Sequence, residues 1–228
     1  CSHRKQSSIH KITKFIDKRF AGPLLKKEID SINLVIDSKK EPITCIIGGS
    51  KISTKINVIR SLIKKINNLI IVGAMANNFF IYNNFKVGKS LVEDDTYEII
   101  KQIYDEASKN NCEIIIPEDC KIGESFEGDG KNKNLEQIED KDIILDIGSE
   151  TIKKIKNIIN LSKTVLWNGP AGYFENPNFA VGSNEIIKKI VDLKNKIYSV
   201  AGGGDTIALL NRTNSFKEFD FVSTAGGA

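Results

Sequence analysis

The stretch SVAGGGDTIALL, residues 199–210, decides the fold and raises the first functional question. It opens with a short apolar run typical of a buried strand, and it closes with residues at helical spacing. Between them, Gly202, Gly203 and Gly204 remove side chains where the N–H groups of a helix N-terminus are unpaired. Such a turn brings N–H donors and the positive end of the helix dipole close to an anion. The stretch therefore predicts a phosphate-binding loop.

Short apolar runs recur along the chain, with helical patterns between them. The runs are rich in β-branched residues, as buried parallel strands are, and cover 43–47, 69–72, 113–116, 164–167, 197–200 and 221–223. The helical patterns cover 54–66, 75–83, 94–108, 183–193 and 206–212. Such alternation is typical of βαβ units. We therefore predict an α/β fold with a doubly wound, Rossmann-like parallel sheet of about six strands and helices on both faces.

Two regions fit this scheme less well. Region 118–162 holds a polar loop, a short apolar run and a helical pattern at 150–161. We expect the helix at 150–161 to lie outside the main sheet. A further helix is expected near 7–19, ahead of the domain. No internal repeat separates the regions, so we predict one domain preceded by a helix.

Composition limits the classes of function. The chain has 228 residues, 40% of them hydrophobic, which is enough for one domain with its own core. Its net charge of +4 comes from 33 basic and 29 acidic residues without a long basic stripe, so we predict no nucleic-acid binding. The longest apolar run is far shorter than the ~18 residues of a membrane span, so we predict no membrane association. The four cysteines lack metal-ligand spacing and are expected to be reduced thiols of a cytoplasmic protein.

Small residues follow five of the predicted strands. The loops are GGSKISTK, GAMAN, NGPAGYFE, AGGGDT and TAGGA. The carboxyl ends of parallel strands meet at one edge of a sheet, where the ligands of doubly wound folds bind. Any one of these loops is equally explained as a tight strand-to-helix turn. The prediction of a ligand site therefore rests on all five together.

Polar side chains accompany these glycines. Asp205 is a candidate helix N-cap and, beside phosphates, a candidate Mg²⁺ ligand, while Thr206 is a candidate donor to a phosphate oxygen. If a helix begins just after Gly49, Lys51 and Lys55 project from one face of its first turns, where the dipole disfavours cations unless an anion is bound. Ordinary solvated lysines are the alternative. The same edge is expected to carry Asn168, Pro170 and Glu175.

Three other motifs are set aside. VGKSL at 87–91 resembles the end of a Walker A loop, but Asn83 stands where its first glycine is required. The run 202–207 lacks the last glycine of the GxGxxG pattern, which weakens the interpretation as a dinucleotide-binding loop. DGKNKN lacks the acidic spacing of an EF-hand.

In their order and spacing, GGSKISTK, LIIVGAMANNF, VGKSL, LDIG, TVLWNGPAGYFE, VAGGGDT and STAGGA resemble the C-terminal, nucleotide-binding half of phosphoglycerate kinases. The resemblance implies a kinase of glycolysis that transfers a phosphoryl group reversibly from 1,3-bisphosphoglycerate to Mg-ADP, giving 3-phosphoglycerate and ATP. It implies Mg²⁺ and ATP/ADP as cofactors and a monomer. It further implies that 1–22 is the tail of an N-terminal lobe with the interlobe helix, and that 23–228 is the nucleotide-binding domain, incomplete at its C-terminus.

The resemblance also implies roles for individual residues. Lys51 matches the lysine that meets the transferring phosphoryl group, Gly204 is expected to act with it, and Arg4 matches an arginine directed at the phosphoglycerate. Lys55 matches a lysine on the nucleotide phosphates. The implied adenine pocket contains Gly73, Ala74, Leu145 and Pro170. The implied phosphate and ribose side contains Asn168, Gly202, Gly203, Thr206, Glu175 and the Mg²⁺-linked Asp205.

The sequence departs from the family pattern at several positions. Ala74 and Ala225 stand where the family usually has glycine, and Gln6 replaces a histidine of the substrate-side motif. We expect the N-terminal lobe of the same chain to be missing here, so that the chain alone binds nucleotide without useful turnover. Two alternatives stay open: a naturally truncated nucleotide-binding module, and the dinucleotide-binding domain of a dehydrogenase.

Overall fold

The computed structural model describes residues 7–18, 20, 22, 23, 26, 29, 30 and 40–223. Its strands are β1 (Ile43–Ile47), β2 (Asn68–Ile71), β3 (Glu113–Ile115), β4 (Asp119–Gly123), β5 (Lys131–Asn134), β6 (Ile143–Ile147), β7 (Thr164–Asn168), β8 (Tyr198–Gly202) and β9 (Phe221–Ser223). Its bounded α-helices are α1 (Ile56–Ile63), α2 (Ala76–Tyr82), α3 (Tyr97–Lys109), α4 (Ser149–Leu161), α5 (Val181–Asp192) and α6 (Gly204–Arg212). Short 3-10 turns lie at Leu135–Gln137, Pro177–Phe179 and Phe216–Glu218.

The main sheet has six strands in the order β3-β2-β1-β7-β8-β9, and every pairing within it is parallel. The chain moves outward from β1 to β3, returns to place β7 beside β1, and then moves outward in the opposite direction. The strand order therefore reverses between β1 and β7. This confirms the predicted doubly wound sheet and identifies the place where such folds bind ligands.

Helices cover both faces of this sheet, as predicted. Cys45 and Ile47 of β1 point to one face and Ile46 points to the other, as strand alternation requires. The first face packs against α1, α2 and α3 through Ile59, Ile63, Phe79, Phe80, Ile100 and Ile103. The second packs against α4, α5 and α6 through Ile155, Ile159, Ile186, Ile190, Leu209 and Leu210. In α1, α3, α4 and α5 these residues recur three or four positions apart, which gives each of those helices an apolar stripe.

Region 118–162 differs from the expectation. It contains a second sheet of three antiparallel strands in the order β5-β4-β6, which was not predicted. The strand β5 reads KNKN and is mostly exposed, so it has no apolar alternation to reveal it. The expectation that the helix at 150–161 lies apart from the main sheet is wrong. Ile155 and Ile159 of α4 belong to the same buried cluster as Val165 and Trp167 of β7.

Two helix predictions also need correction. The helix expected near 7–19 is, over 7–18, a π-helical turn at Ser7–Lys11 and a 3-10 turn at Ile12–Lys14. The segment is rich in β-branched residues, which disfavour an α-helix. The helix expected just after Gly49 begins only at Ile56. Gly49 has a φ of +121°, and the Thr54 hydroxyl closes a turn by donating to the carbonyl O of Lys51 at 2.9 Å. Lys51 therefore precedes the helix rather than lying on it.

Some sequence predictions fall outside the described residues. These are Arg4, Gln6 and the loop after β9 that contains Ala225. Within the described part of the chain, no helix combines the length and the apolar character needed to cross a bilayer.

Candidate functional site

The carboxyl ends of β1 and β7 meet through interlocked glycine loops. The N–H of Gly48 donates to the carbonyl O of Asn168 at 2.8 Å. A Cβ on Gly48 would lie 2.2 Å from the carbonyl O of Pro170. A Cβ on Gly169, whose φ is +101°, would lie 2.4 Å from the carbonyl O of Gly48. Because two backbones touch here, only glycine fits at either position.

A pocket of about 260 Å³ opens above these loops, and we call it the basic pocket. It is lined by Gly49, Ser50, Lys51, Thr54, Lys55, Asn168, Gly169, Gly203, Gly204, Asp205 and Thr206. Three separate segments, following β1, β7 and β8, thus place their glycines and polar side chains around one space. The structure brings together nearly all the residues predicted for the phosphate side. Gly202 lies at the end of β8 and is not part of this lining.

Lys55 is held in this pocket by oxygens of the protein. Its Nζ donates to the carbonyl O of Gly48 at 2.5 Å and to Oδ1 of Asn168 at 2.8 Å. Burial lowers the pKa of the Lys55 ammonium below its usual value of 10.5, while the negative charge of Asp205 opposes this shift. A partly buried cation held by neutral oxygens is stabilised further by a bound anion. Lys55 is therefore suited to a phosphate group, whereas Lys51 is exposed at the rim.

The N-terminus of α6 supplies the opposite wall. Gly203, with a φ of +95°, is the N-cap, so the expectation that Asp205 caps this helix is wrong. The helix α6 begins at Gly204, where a Cβ would meet nothing within 4 Å. Gly203 and Gly204 line the basic pocket, and no side chain of theirs covers the first N–H groups of α6, which have no partner within the helix. Thr206 is fully buried, and its Oγ1 accepts the N–H of Gly169 at 2.7 Å, so it fixes the loop after β7. Whether the Thr206 hydroxyl also donates to a phosphate stays a prediction.

A second pocket of about 290 Å³ adjoins the first, and we call it the apolar pocket. It is lined by Gly49, Ser50, Gly73, Ala74, Leu91, Phe126, Ile143, Ile144, Leu145, Pro170, Gly172, Tyr173, Phe174, Glu175 and Asp205. Gly49, Ser50 and Asp205 line both pockets, so the two form one continuous site. All the residues predicted for the adenine and ribose side lie here: Gly73, Ala74, Leu145, Pro170 and Glu175.

Several residues of the apolar pocket were not found from the sequence. Phe126 comes from the polar loop after β4, and its ring meets that of Tyr173 edge-on, with centroids 5.1 Å apart. The side chain of Asn176 holds this loop by donating to the carbonyl O of Phe126 at 2.9 Å. Leu91 comes from the segment after VGKS. No local pattern indicated these residues, because their approach depends on packing between distant parts of the chain.

A buried carboxylate supports the apolar pocket from behind. Asp146, next to Leu145 on β6, accepts the N–H of Gly182 at 2.8 Å and that of Ile147 at 2.8 Å. Burial raises the pKa of Asp146 to about 7, although these hydrogen bonds oppose the shift. A Cβ on Gly172 would lie 2.6 Å from Oδ1 of Asp146. Asp146 therefore ties β6 to the start of α5 and fixes the wall that contains Leu145.

The donor set fits a magnesium ion that is bound together with phosphates. Asp205 places an exposed carboxylate at the junction of the two pockets. Among the described residues, no group of three or more histidine, cysteine or acidic side chains converges to hold a metal by itself. Protein-bound Mg²⁺ commonly takes one or two carboxylates and completes its shell with substrate phosphates and water. One carboxylate beside a basic pocket meets that requirement.

A sequence model of phosphoglycerate kinase matches residues 1–228, which is the entire chain. The chain belongs to the phosphoglycerate kinase family. Phosphoglycerate kinases of Wolbachia pipientis subsp. Culex pipiens (strain wPip) and Legionella pneumophila (strain Paris) are 42% and 36% identical to it over its full length. The chain spans 58% and 57% of those two proteins, slightly more than half of each.

Solved structures of the family share the fold. Phosphoglycerate kinase from Coxiella burnetii superposes with a TM-score of 0.86 at 31% identity, over 91% of this chain and 53% of that one. The enzyme from Pyrococcus horikoshii OT3 superposes with a TM-score of 0.77 at 25% identity, over 99% of this chain and 57% of that one. Family membership removes the dehydrogenase alternative.

Proposed function

We propose that this chain is the nucleotide-binding lobe of a phosphoglycerate kinase that transfers a phosphoryl group reversibly between 1,3-bisphosphoglycerate and Mg-ADP. The observation that carries the proposal is the continuity of an apolar pocket and a basic pocket across the point where the strand order reverses. A nucleoside diphosphate has the same division into an apolar base and an anionic tail. Membership of the family supports the same conclusion.

In this proposal each pocket takes one part of the nucleotide. Gly73, Ala74, Leu145 and Pro170 flank the adenine, and Glu175 accepts hydrogen bonds from the ribose hydroxyls. Lys55, Asn168 and the open N–H groups of Gly203 and Gly204 bind the phosphates. Gly202 contributes by ending β8 without a side chain.

Phosphoryl transfer requires little covalent chemistry from these residues. In the direction of ATP synthesis, the bond from the acyl oxygen to phosphorus breaks, a bond from the ADP β-phosphate oxygen to phosphorus forms, and the carboxylate of 3-phosphoglycerate leaves. No general base is needed, because the attacking oxygen is already ionised in both directions. Lys51 and Gly204 stabilise the negative charge of the transferring group. Mg²⁺, held by Asp205 and the nucleotide phosphates, supplies further positive charge when bound.

Binding of the phosphoglycerate is assigned in this proposal to an N-terminal lobe, most of which is not part of these 228 residues. Residues 1–22 are assigned to the end of an N-terminal lobe and the interlobe helix, and residues 23–228 to the nucleotide-binding domain. The lobe present in the longer relatives binds the phosphoglycerate together with Arg4, and its closure excludes water. This chain alone accordingly binds nucleotide without useful turnover. We assign the protein to the cytoplasm, as a monomer.

Calorimetric titration of the 228-residue chain with Mg-ADP tests the proposal. Lys55→Ala and Asp205→Ala are each expected to weaken binding by at least about tenfold, since each removes a charged partner of the phosphates or metal. The effect of Asp205→Ala should vanish when Mg²⁺ is chelated. Lys101→Ala, which changes an exposed lysine of α3, is the control and should bind normally.

Two outcomes would contradict the proposal. A folded chain that does not bind Mg-ADP, or binding that is indifferent to Lys55 and Asp205, would refute the nucleotide site. Phosphoglycerate kinase turnover by this chain alone would refute the requirement for a second lobe.

A further inference from the structure

The first four residues of the VGKSL motif, to which the proposed function assigns no role, lie against the start of β6. Gly88 has a φ of +56°, and a Cβ there would lie 2.3 Å from the carbonyl O of Asp142. The N–H of Lys89 donates to the same oxygen at 2.8 Å. The hydroxyl of Ser90 accepts the N–H of Ile144 at 2.8 Å. These groups are committed to β6 and to Asp142, the residue before it. The chain then continues past the site as residues 91–93, which we call the bridging segment.

Two buried asparagines clamp the bridging segment to α2. Nδ2 of Asn77 donates to the carbonyl O of Leu91 at 2.9 Å. Asn78 forms two bonds with the backbone of Glu93, donating to its carbonyl O at 2.6 Å and accepting its N–H at 3.3 Å. Asn77 and Asn78 are 0% and 2% exposed. The bridging segment is therefore fixed to α2, which begins two residues after Ala74, and Leu91 lines the apolar pocket.

From this clamped position, the side chain of Glu93 reaches across to residues 50–55, which we call the lysine loop. Its Oε2 accepts the N–H of Ser53 at 3.1 Å, and its Oε1 accepts the Ser53 hydroxyl. These hydrogen bonds lower the pKa of Glu93, and the positive charge of Lys51 contributes to the same shift. Ser53 stands midway between Lys51 and Lys55. A single carboxylate thus holds the centre of the loop that carries both cations.

We propose that Glu93 is a positioning residue that holds the lysine loop in the conformation presenting Lys51 and Lys55 to the nucleotide phosphates. The inference rests on the proposed nucleotide-binding function. If Glu93 acted only through its charge, or instead by positioning the loop, removing its carboxylate would change phosphate affinity in opposite directions. By Coulomb's law alone, a negative charge beside a basic pocket weakens anion binding, so its loss would tighten binding. If Glu93 positions the loop, its loss weakens binding of phosphates.

The test compares Mg-ADP with adenosine, which lacks phosphates, by calorimetry. Glu93→Gln and Ser53→Ala are expected to weaken Mg-ADP binding roughly 3- to 10-fold, the effect of losing a charge-assisted hydrogen bond, and to change adenosine binding by less than about 2-fold. Glu98→Gln, an exposed change of the same charge in the first turn of α3, is the matched control and should alter neither affinity. Amide hydrogen exchange at Ser53 should also accelerate in Glu93→Gln.

The outcomes separate this role from the proposed function. Unchanged or tighter Mg-ADP binding in Glu93→Gln overturns the positioning role, and so does an equal loss for Mg-ADP and adenosine, since that indicates a general disturbance. Absence of Mg-ADP binding by the folded, unsubstituted chain overturns the proposed function and this role with it. Binding by the unsubstituted chain without a selective loss in Glu93→Gln overturns this role alone.

Discussion

The two pockets of the site are built in different ways. The basic pocket is made where β1, β7 and β8 end, and its lining includes the glycines Gly49, Gly169, Gly203 and Gly204. The apolar pocket takes side chains from the bridging segment, the loop after β4, β6 and the segment after β7. An anion can be bound by N–H groups that any glycine turn provides, whereas a flat apolar base needs walls from several directions. Charge recognition is therefore local in this chain, and shape recognition depends on tertiary packing.

The largest expected effect tests whether the basic pocket depends on its backbone contacts. Gly169→Ala would place a Cβ 2.4 Å from the carbonyl O of Gly48 at a φ of +101°. We expect it to lower the free energy of unfolding by about 3 kcal/mol or more, since backbone strain of about 1–3 kcal/mol is added to a clash between two main chains. Urea unfolding followed by circular dichroism measures this loss.

Gly204→Ala is the control for this prediction within the same pocket. A Cβ at Gly204 meets nothing within 4 Å and its φ lies outside the left-handed region. Its free energy of unfolding should stay unchanged or rise by up to about 1 kcal/mol. Similar losses in the two variants would show that the loops are not interlocked as described.

A smaller effect is the pH dependence of ligand affinity, which should differ between the basic pocket and the apolar pocket. The pKa of Lys55 is lowered, mainly by burial, so Lys55 loses its proton at a pH below the 10.5 of an ordinary lysine. Since only the protonated form attracts phosphate, Mg-ADP affinity should fall as the pH rises through that lowered pKa, by about tenfold once the charge is lost. Calorimetry across pH 7–10 measures the fall. Adenosine affinity should stay constant, and Lys55→Arg, which keeps its charge, should abolish the fall. An identical pH profile for Lys55→Arg would assign the titration to another group.

The smallest effect concerns Ala74 in the apolar pocket. Ala74 is not among the residues with positive φ, so its backbone accommodates a methyl group without strain. Ala74→Gly removes one methyl group from the pocket wall and should change the affinities for adenosine and Mg-ADP equally, by less than about 4-fold. Competition titration with both ligands checks this. A larger change in the affinity for Mg-ADP alone would show that Ala74 acts on the phosphates and not on the base.

The same contrast explains what the sequence could reveal. Buried strands such as β1 and β7 carry continuous apolar runs and are followed by glycine, so the parallel sheet and the basic pocket were predictable. The strand β5 was not, because KNKN forms an exposed edge whose pairing depends on β4. The spacing of Lys51 and Lys55 predicted correctly that both line the basic pocket. The predicted helix was wrong there, because Lys51 lies on a turn that precedes α1. Phe126 enters the apolar pocket only through the folding of a polar loop.

The pairing of β1 with β7 also has a consequence for the kinetics of folding. Thr44 and Ser162, hydrogen bonded at the start of this pair, are 118 residues apart in the chain. Closing so long a loop has a large entropic cost, and contacts of this kind slow folding. The basic pocket extends further still, from Gly49 to Thr206. At a synthesis rate of about 5–20 residues per second, β7 is made on the order of ten seconds after β1. Strands β1 to β3 are without this central partner during that time. The phosphate tail can consequently bind only after the chain has been made as far as Thr206, when most of the main sheet is present.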